Sequence, residues 1–124
     1  MAGLFGGGEA IVAKIGDPPK EGYTDILVDR STFFGNEFRL GKYTRCGAIS
    51  KFITRAETLM QIKGEFRKRV LELKARCDAG ENLRFLCHCH PQACHASWYA
   101  GICTGRIKVP IALHKQGTKL KISD

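Results

Sequence analysis

Three cysteines and three histidines lie within nine residues of this chain, in the segment Cys87-His88-Cys89-His90-Pro91-Gln92-Ala93-Cys94-His95. The whole chain has six cysteines and four histidines, so this segment concentrates its nucleophiles and its soft metal ligands. Residues 83–86 before it are typical of a short buried strand, and residues 96–103 after it of a helix. We therefore expect the cluster at the C-terminal end of a strand, where open α/β sheets bind ligands.

Cys94 and His95 are the candidate catalytic residues. If a helix begins near Cys94, its unpaired N–H groups and the positive end of its dipole favour a thiolate and can hold a phosphate or carboxylate. The thiolate could act as a nucleophile and His95 could transfer a proton, although neighbouring residues on a helix point about 100° apart. In the structural alternative, Cys94 packs and His95 hydrogen-bonds the backbone to shape the turn.

The same cluster also fits a metal site. Cys87 and Cys89 alternate along a strand and so face one side, and Cys94 returns from a short loop. With His90 or His95 these thiolates would complete a tetrahedral set for zinc or iron. The spacing C-x-C-x4-C-H is not one of the common zinc patterns, however, and one of the strand cysteines could equally fill the core. The sequence leaves both interpretations open.

Apolar spacing and turn residues predict four elements before the cluster. They are strands at about 9–15 and 25–30 and helices at about 45–61 and 64–77. A loop from Ser31 to Phe38 follows the second strand, and its Gly35-Asn36 pair suits a tight turn. Because the two helices form a connection of crossover length, we predict that strands 25–30 and 83–88 are adjacent and parallel.

Two motifs, in this order, resemble a known family. Arg30-Ser31 with Gly35-Asn36-Glu37-Phe38, and later the cysteine–histidine segment, resemble the patterns Gly-Arg-x-Ser-x-x-Gly-Asn-Pro-Phe and Cys-Trp-Cys-x-Pro-x-x-Cys-His-Gly of the DUF4326 family. That small domain is found in bacteria and bacteriophages. A looser similarity extends to DUF488 proteins, which carry a Pro-x-x-Cys-His turn between a strand and a helix. The resemblance covers about residues 25–103 and implies an α/β fold with one pocket shared by both motifs, but it supplies no reaction.

The sequence departs from the family pattern at three positions. Glu37 replaces the proline after Asn36, His88 replaces the tryptophan between the cysteines, and Ala96 replaces the glycine after the Cys-His pair. The first change adds a carboxylate beside the loop, and the second exchanges an aromatic wall for an imidazole. These departures leave open a changed or lost ligand preference.

On this resemblance, the candidate ligand-binding residues are Arg30, Ser31, Asn36 and Cys89. An arginine holds a phosphate or carboxylate with its forked guanidinium, and an asparagine amide can recognise a base or ribose edge. From the residues alone, a structural role is favoured for both, with Asn36 in the left-handed position of a turn and Arg30 in a surface salt bridge.

The formal net charge of +8 is unevenly distributed. Residues 39–76 hold eleven Lys and Arg against three Glu, and residues 106–121 hold five basic residues and no acidic one. Such an excess favours anionic partners, namely nucleotides, phosphates or nucleic acid. A solvated basic helix face is the equal alternative, because no nucleic-acid-binding signature accompanies the charge.

The 124 residues fit one domain with an α/β fold, a small and partly parallel sheet flanked by helices. We predict a flexible glycine-rich segment at 1–8, the DUF4326-like domain at 9–105 and a basic extension at 106–124, in which 109–113 and 119–122 could form a hairpin. No apolar run approaches the roughly 18 residues that span a bilayer, so no membrane partner is expected. The first residues lack the basic and apolar regions of a signal peptide, so we expect the cytoplasm of a bacterium or of a phage-infected host cell. In that reducing compartment, six crowded cysteines indicate metal binding or catalysis rather than disulfides.

Two functions remain from the sequence. One is binding of, or a Cys/His-dependent transferase or hydrolase reaction on, a nucleotide, nucleobase or related phosphorylated small molecule. The other is a zinc- or iron-binding basic module that contacts nucleic acid, as an accessory protein of a phage would. Metal analysis of the purified protein distinguishes them.

Overall fold

The computed structural model describes residues 7–29, 31–38, 41–88 and 94–116. The described part forms one parallel sheet with helices packed against it, which confirms the α/β fold. Its strands are β1 (Ala10–Lys14), β2 (Tyr23–Leu27) and β3 (Asn82–Cys87), and its helices are α1 (Arg45–Met60), α2 (Glu65–Asp78) and α3 (Ala96–Thr104). No helix of these residues is long and apolar enough to cross a membrane.

β3 is the central strand and pairs in parallel with β1 on one side and β2 on the other. Val12 and Ile26 lie opposite Phe85 on its two sides. Because α1 and α2 lie between β2 and β3 along the chain, they form the connection between these adjacent parallel strands. The predicted strand pairing and its helical crossover are confirmed.

A buried arginine ties the central strand to its surroundings. Arg84 lies on the face of β3 opposite Leu83 and Phe85 and is only 4% exposed. Its Nε and Nη2 donate to Oδ1 and Oδ2 of Asp25 over 2.7 and 3.1 Å, and its Nη1 donates to the Pro18 carbonyl over 2.8 Å. The guanidinium lowers the pKa of Asp25. A charge can be buried here because these acceptors compensate its desolvation.

α3 supplies the middle of the core. It is buried along most of its length, with only Ser97 and Thr104 exposed, and lies against β1, β3 and α2. The rings of Tyr99 and Phe85 stack with centroids 6.0 Å apart. The chain then returns over the helix so closely that a Cβ on Gly101 would lie 2.6 Å from Ile107 Cδ1. The helix ends at Gly105, whose φ of 79° is the left-handed conformation that glycine adopts without strain.

Strand β2 begins and ends earlier than predicted. It runs from Tyr23 to Leu27, whereas the sequence indicated residues 25–30. The chain turns beyond Val28 because the Asp29 carboxylate accepts the Ser31 N–H over 3.0 Å and the Asp29 carbonyl accepts the Thr32 N–H over 3.0 Å. Local bonds of an aspartate thus replace the strand pairing.

The structure describes only part of each terminal segment. The N–H of Gly8 donates to the Cys77 carbonyl over 2.6 Å and its carbonyl faces the Cys77 sulfur, while the flexibility of residues 1–8 stays a prediction. Residues 109–113, the first arm of the predicted hairpin, do not form a strand. Instead, the N–H groups of Leu113 and His114 donate to the Gln61 carbonyl after α1. The second arm, 119–122, and residues 1–6 lie outside the described residues.

Candidate functional site

The two sequence motifs meet at the C-terminal edge of the sheet. Leu27 and Leu86 are paired in the parallel register, so the segments that follow β2 and β3 start side by side. From α3, His95 Nε2 lies 2.6 Å from the Val28 carbonyl oxygen and 3.1 Å from that of Phe34, and the Tyr99 hydroxyl donates to the same Phe34 oxygen over 3.0 Å. The loop after β2 is therefore fixed to the N-terminal half of α3.

These contacts define the protonation of His95. Both partners of Nε2 are carbonyl oxygens, which only accept hydrogen bonds, so Nε2 carries a hydrogen. The side chain is buried, and its ring meets Phe52 edge-on with centroids 4.9 Å apart. The geometry is that of the structural alternative, in which His95 shapes the turn. A proton-transfer role for His95 stays a prediction.

Cys94 lies next to Cys87 rather than toward open solvent. Their sulfur atoms are 2.8 Å apart, and both side chains are buried. Cys94 precedes His95, the N-cap residue of α3, so the predicted position at the start of a helix is correct. Its carbonyl accepts from the Ser97 hydroxyl over 2.9 Å, which holds the backbone of the turn in place. Cys94 is only 5% exposed, so its sulfur is largely shielded from solvent.

The sequence reasoning missed an acidic residue at this edge. Asp29 lies two residues beyond the end of β2, and its carboxylate accepts hydrogen bonds from the N–H and the hydroxyl of Ser31. Its Oδ2 lies 3.3 Å from Nε2 of His88, which is 71% exposed. The Ser31 hydroxyl, with help from His88, lowers the pKa of Asp29. Its place after a parallel strand was the signal that could have identified it.

Asn36 uses its amide to hold the loop to α1. Its Nδ2 donates to the Ala48 carbonyl over 3.2 Å, and its Oδ1 accepts the Phe38 N–H over 2.9 Å. The side chain is buried. The predicted left-handed conformation of Asn36 is wrong, because no described residue other than glycine has a positive φ. Ligand recognition by Asn36 stays a prediction, and both ends of its amide already have partners.

Each of the three departures from the family pattern has a definite place. Glu37 forms an ion pair with Arg55 on α1, with 3.1 Å between Oε1 and Nε, where the family has a proline. His88 faces the Asp29 carboxylate. Ala96 is fully buried at the start of α3. The two polar replacements thus face partners of complementary chemistry.

Three candidate residues, Arg30, Cys89 and His90, lie outside the described residues. Among residues 7–29, 31–38, 41–88 and 94–116, no three His, Cys, Asp or Glu side chains are grouped as metal ligands. The metal set proposed from sequence needs Cys89 and His90 besides Cys87 and Cys94, so it stays a prediction.

A groove beside α2 shares Phe34 with this site. It has an apolar base and a charged rim, and is lined by Phe34, Glu65, Arg69, Glu72, Leu73 and Arg76. The rim arginines are already neutralised, since Arg69 pairs with Glu65 and Arg76 with Glu81, each over 2.7 Å. The groove therefore offers little net attraction to an anion.

The fold and the site define a small α/β protein whose three described strands run in parallel in the order β1-β3-β2, with the loop after β2 bonded to α3 at the carboxyl edge. The chain belongs to the family described as "Domain of unknown function (DUF4326)", whose sequence pattern matches residues 16–104. The match extends from the segment before β2 to the end of α3 and includes both motifs. Comparisons with curated proteins and with solved structures found no match.

Proposed function

We propose that the protein binds a nucleotide, nucleobase or related phosphorylated small molecule at the carboxyl edge of its sheet. The observation that carries this proposal is the attachment of the loop after β2 to α3, through the bonds of His95 to the carbonyls of Val28 and Phe34. Two motifs about sixty residues apart in the sequence thereby border one site. In parallel sheets this edge is the usual place for a ligand.

The chemistry of the edge favours a ligand with both a sugar and a phosphate. An acidic residue after a strand of a parallel sheet accepts ribose hydroxyls in dinucleotide-binding folds, and Asp29 stands in such a position. Its Oδ2 faces only the largely exposed His88 among the contacts described, so a ligand hydroxyl can displace that imidazole. Arg30, the next residue in the sequence, supplies the fixed positive charge that a phosphate needs.

The start of α3 can attract an anionic group through its helix dipole, but not all of its backbone N–H groups are available to a ligand. The N–H groups of Ser97 and Trp98 already bond to the carbonyls of Cys94 and His95. The partial positive charge of the helix N-terminus still favours an anionic group near Cys94. Cys94 and His95 remain the candidate catalytic residues of a transferase or hydrolase reaction, with Cys94 as the nucleophile.

We also propose a cytoplasmic location, in a bacterium or in a host cell infected by a phage. This location is supported by Cys77 and Cys103, which are buried in the core as free thiols, as is typical of proteins in a reducing compartment.

Isothermal titration calorimetry with the four ribonucleoside monophosphates tests the ligand class, with inorganic phosphate and adenosine as partial ligands. We expect at least one monophosphate to bind, and Arg30→Ala to weaken its binding by about 1–3 kcal/mol. Asp29→Asn should weaken binding of the nucleotide but leave binding of inorganic phosphate unchanged. Lys115→Ala and Asp78→Asn, which change exposed charges of the same sign elsewhere, are the matched controls. Equal loss in site and control variants would refute a site at this edge.

A further inference from the structure

Cys87 and Cys94 are positioned for a covalent link. Their sulfur atoms are 2.8 Å apart, whereas the S–S bond of a disulfide is about 2.05 Å, so a displacement of about 0.8 Å would join them. Cys87 ends β3, and its carbonyl accepts the Ile15 N–H over 2.9 Å. The Cys94 carbonyl is held by Ser97. Both cysteines therefore sit on fixed backbone.

The sulfur separation favours this link over a shared metal. Two thiolates that each lie about 2.3 Å from a tetrahedral zinc are about 3.8 Å apart. At 2.8 Å, Cys87 and Cys94 are about 1 Å closer than such ligands. The two sulfur atoms would have to approach by about 0.8 Å to form a disulfide, and to separate by about 1 Å to bind zinc together.

We propose that Cys87 and Cys94 form a reversible dithiol–disulfide pair that a small hydroperoxide oxidises. Hydrogen peroxide is the simplest oxidant of this class, and it is small enough to reach a side chain that is 5% exposed. The inference does not depend on the proposed nucleotide ligand.

The reaction begins at Cys94, the more exposed of the two residues. Its sulfur attacks one oxygen of hydrogen peroxide, the O–O bond breaks, and the thiol becomes a sulfenic acid while one water leaves. The Cys87 sulfur then attacks the Cys94 sulfur, the S–O bond breaks, and a second water leaves with the Cys87 proton. Two thiols have lost two protons and two electrons to the peroxide. A small dithiol such as dithiothreitol returns them by exchange.

The chain contains its own control cysteines. Cys77 and Cys103 are as deeply buried as Cys87, and burial raises the pKa of the Cys103 thiol to about 12 and also raises that of Cys77. Cys46 is exposed on α1. Burial alone thus predicts low reactivity at Cys77 and Cys103, and exposure alone predicts reaction at Cys46. Selective oxidation of Cys87 and Cys94 would follow neither pattern.

Peptide mapping by mass spectrometry tests the pair in the full-length protein. The reduced chain is treated with hydrogen peroxide, blocked with N-ethylmaleimide and digested without reductant. We expect a cross-linked peptide that joins Cys87 to Cys94, lacks two hydrogen atoms and is restored by dithiothreitol. A cross-link from either residue to Cys89 would overturn the proposal, and so would unchanged Cys87 and Cys94 while Cys46 oxidises.

A variant separates the two steps. In Cys87→Ser the sulfenic acid on Cys94 has lost its partner, so its capture by dimedone should rise about tenfold over the wild type. Cys103→Ser, at a matched buried site, should leave capture unchanged. If Cys87→Ser shows no increase while its circular dichroism spectrum is that of the wild type, the proposal is wrong. If the variant does not fold, the presence or absence of the Cys87–Cys94 cross-link in the wild type still tests the proposal.

Discussion

Replacing His95 with alanine should destabilise the protein by about 2.5–5.5 kcal/mol, because His95 joins the two halves of the candidate site. The buried Val28 carbonyl would lose its donor at 2.6 Å, which costs about 1–3 kcal/mol. The Phe34 carbonyl would lose one donor but keep the Tyr99 hydroxyl, which costs about 0.5–1.5 kcal/mol. The lost ring contact with Phe52 adds about 1 kcal/mol.

Urea denaturation of three variants tests this account. His95→Gln keeps an N–H donor at a similar reach, so it should recover about half of the loss in the free energy of unfolding. Tyr99→Phe removes the second donor of Phe34 alone and should cost about 1 kcal/mol. A loss of less than about 1 kcal/mol for His95→Ala, or a His95→Gln variant no more stable than His95→Ala, would refute the role of the Nε2 hydrogen bonds.

Two further predictions concern packing and charge. Gly101→Ala should destabilise the protein by about 1–3 kcal/mol in thermal or urea unfolding, because the new Cβ meets the Ile107 side chain. Gly7→Ala is the control, because a Cβ there has nothing within 4 Å. Equal effects of the two substitutions would contradict the tight contact at Gly101. The Arg76 guanidinium lowers the pKa of Glu81 from its usual 4.5 to about 2, so this pair stabilises the fold above pH 4.5 and the contribution disappears as the pH falls through 2. The melting temperature of Glu81→Gln should therefore lie below that of the wild type at pH 7 and approach it near pH 2, whereas a difference that does not change with pH would contradict the shift.

Much of the fold could be predicted because its signals are local. The apolar residues of α1 and α2 recur at helical spacing, and the observed bounds, Arg45–Met60 and Glu65–Asp78, differ from the predicted ones by one residue at most. The parallel pairing of β2 and β3 followed from the length of the connection between them. Cys46 shows the limit of such local signals: a cysteine in a helix is expected in the core, but this one is exposed.

The features of the fold and the site that could not be predicted depend on contacts between segments that are far apart in the sequence. The burial of Arg84 requires Asp25 beside it in the register and Pro18 above it, which no local pattern shows. The His95 side chain could be predicted to bond to the backbone, but not to join Val28 and Phe34, because the path of the intervening loop determines which carbonyls it meets. The contact between Cys87 and Cys94 has the same origin.

An NMR titration tests the central claim most directly. The uniformly ¹⁵N-labelled chain is titrated with each ribonucleoside monophosphate, and amide shifts are recorded. We expect saturable changes at Asp29 and Ser31 after β2 and at Ala96 and Ser97 on α3, with α1 and α2 unchanged. Shifts confined to the basic residues of α1 and α2, or no saturable shift with any of the four, would contradict a nucleotide site at the carboxyl edge of the sheet.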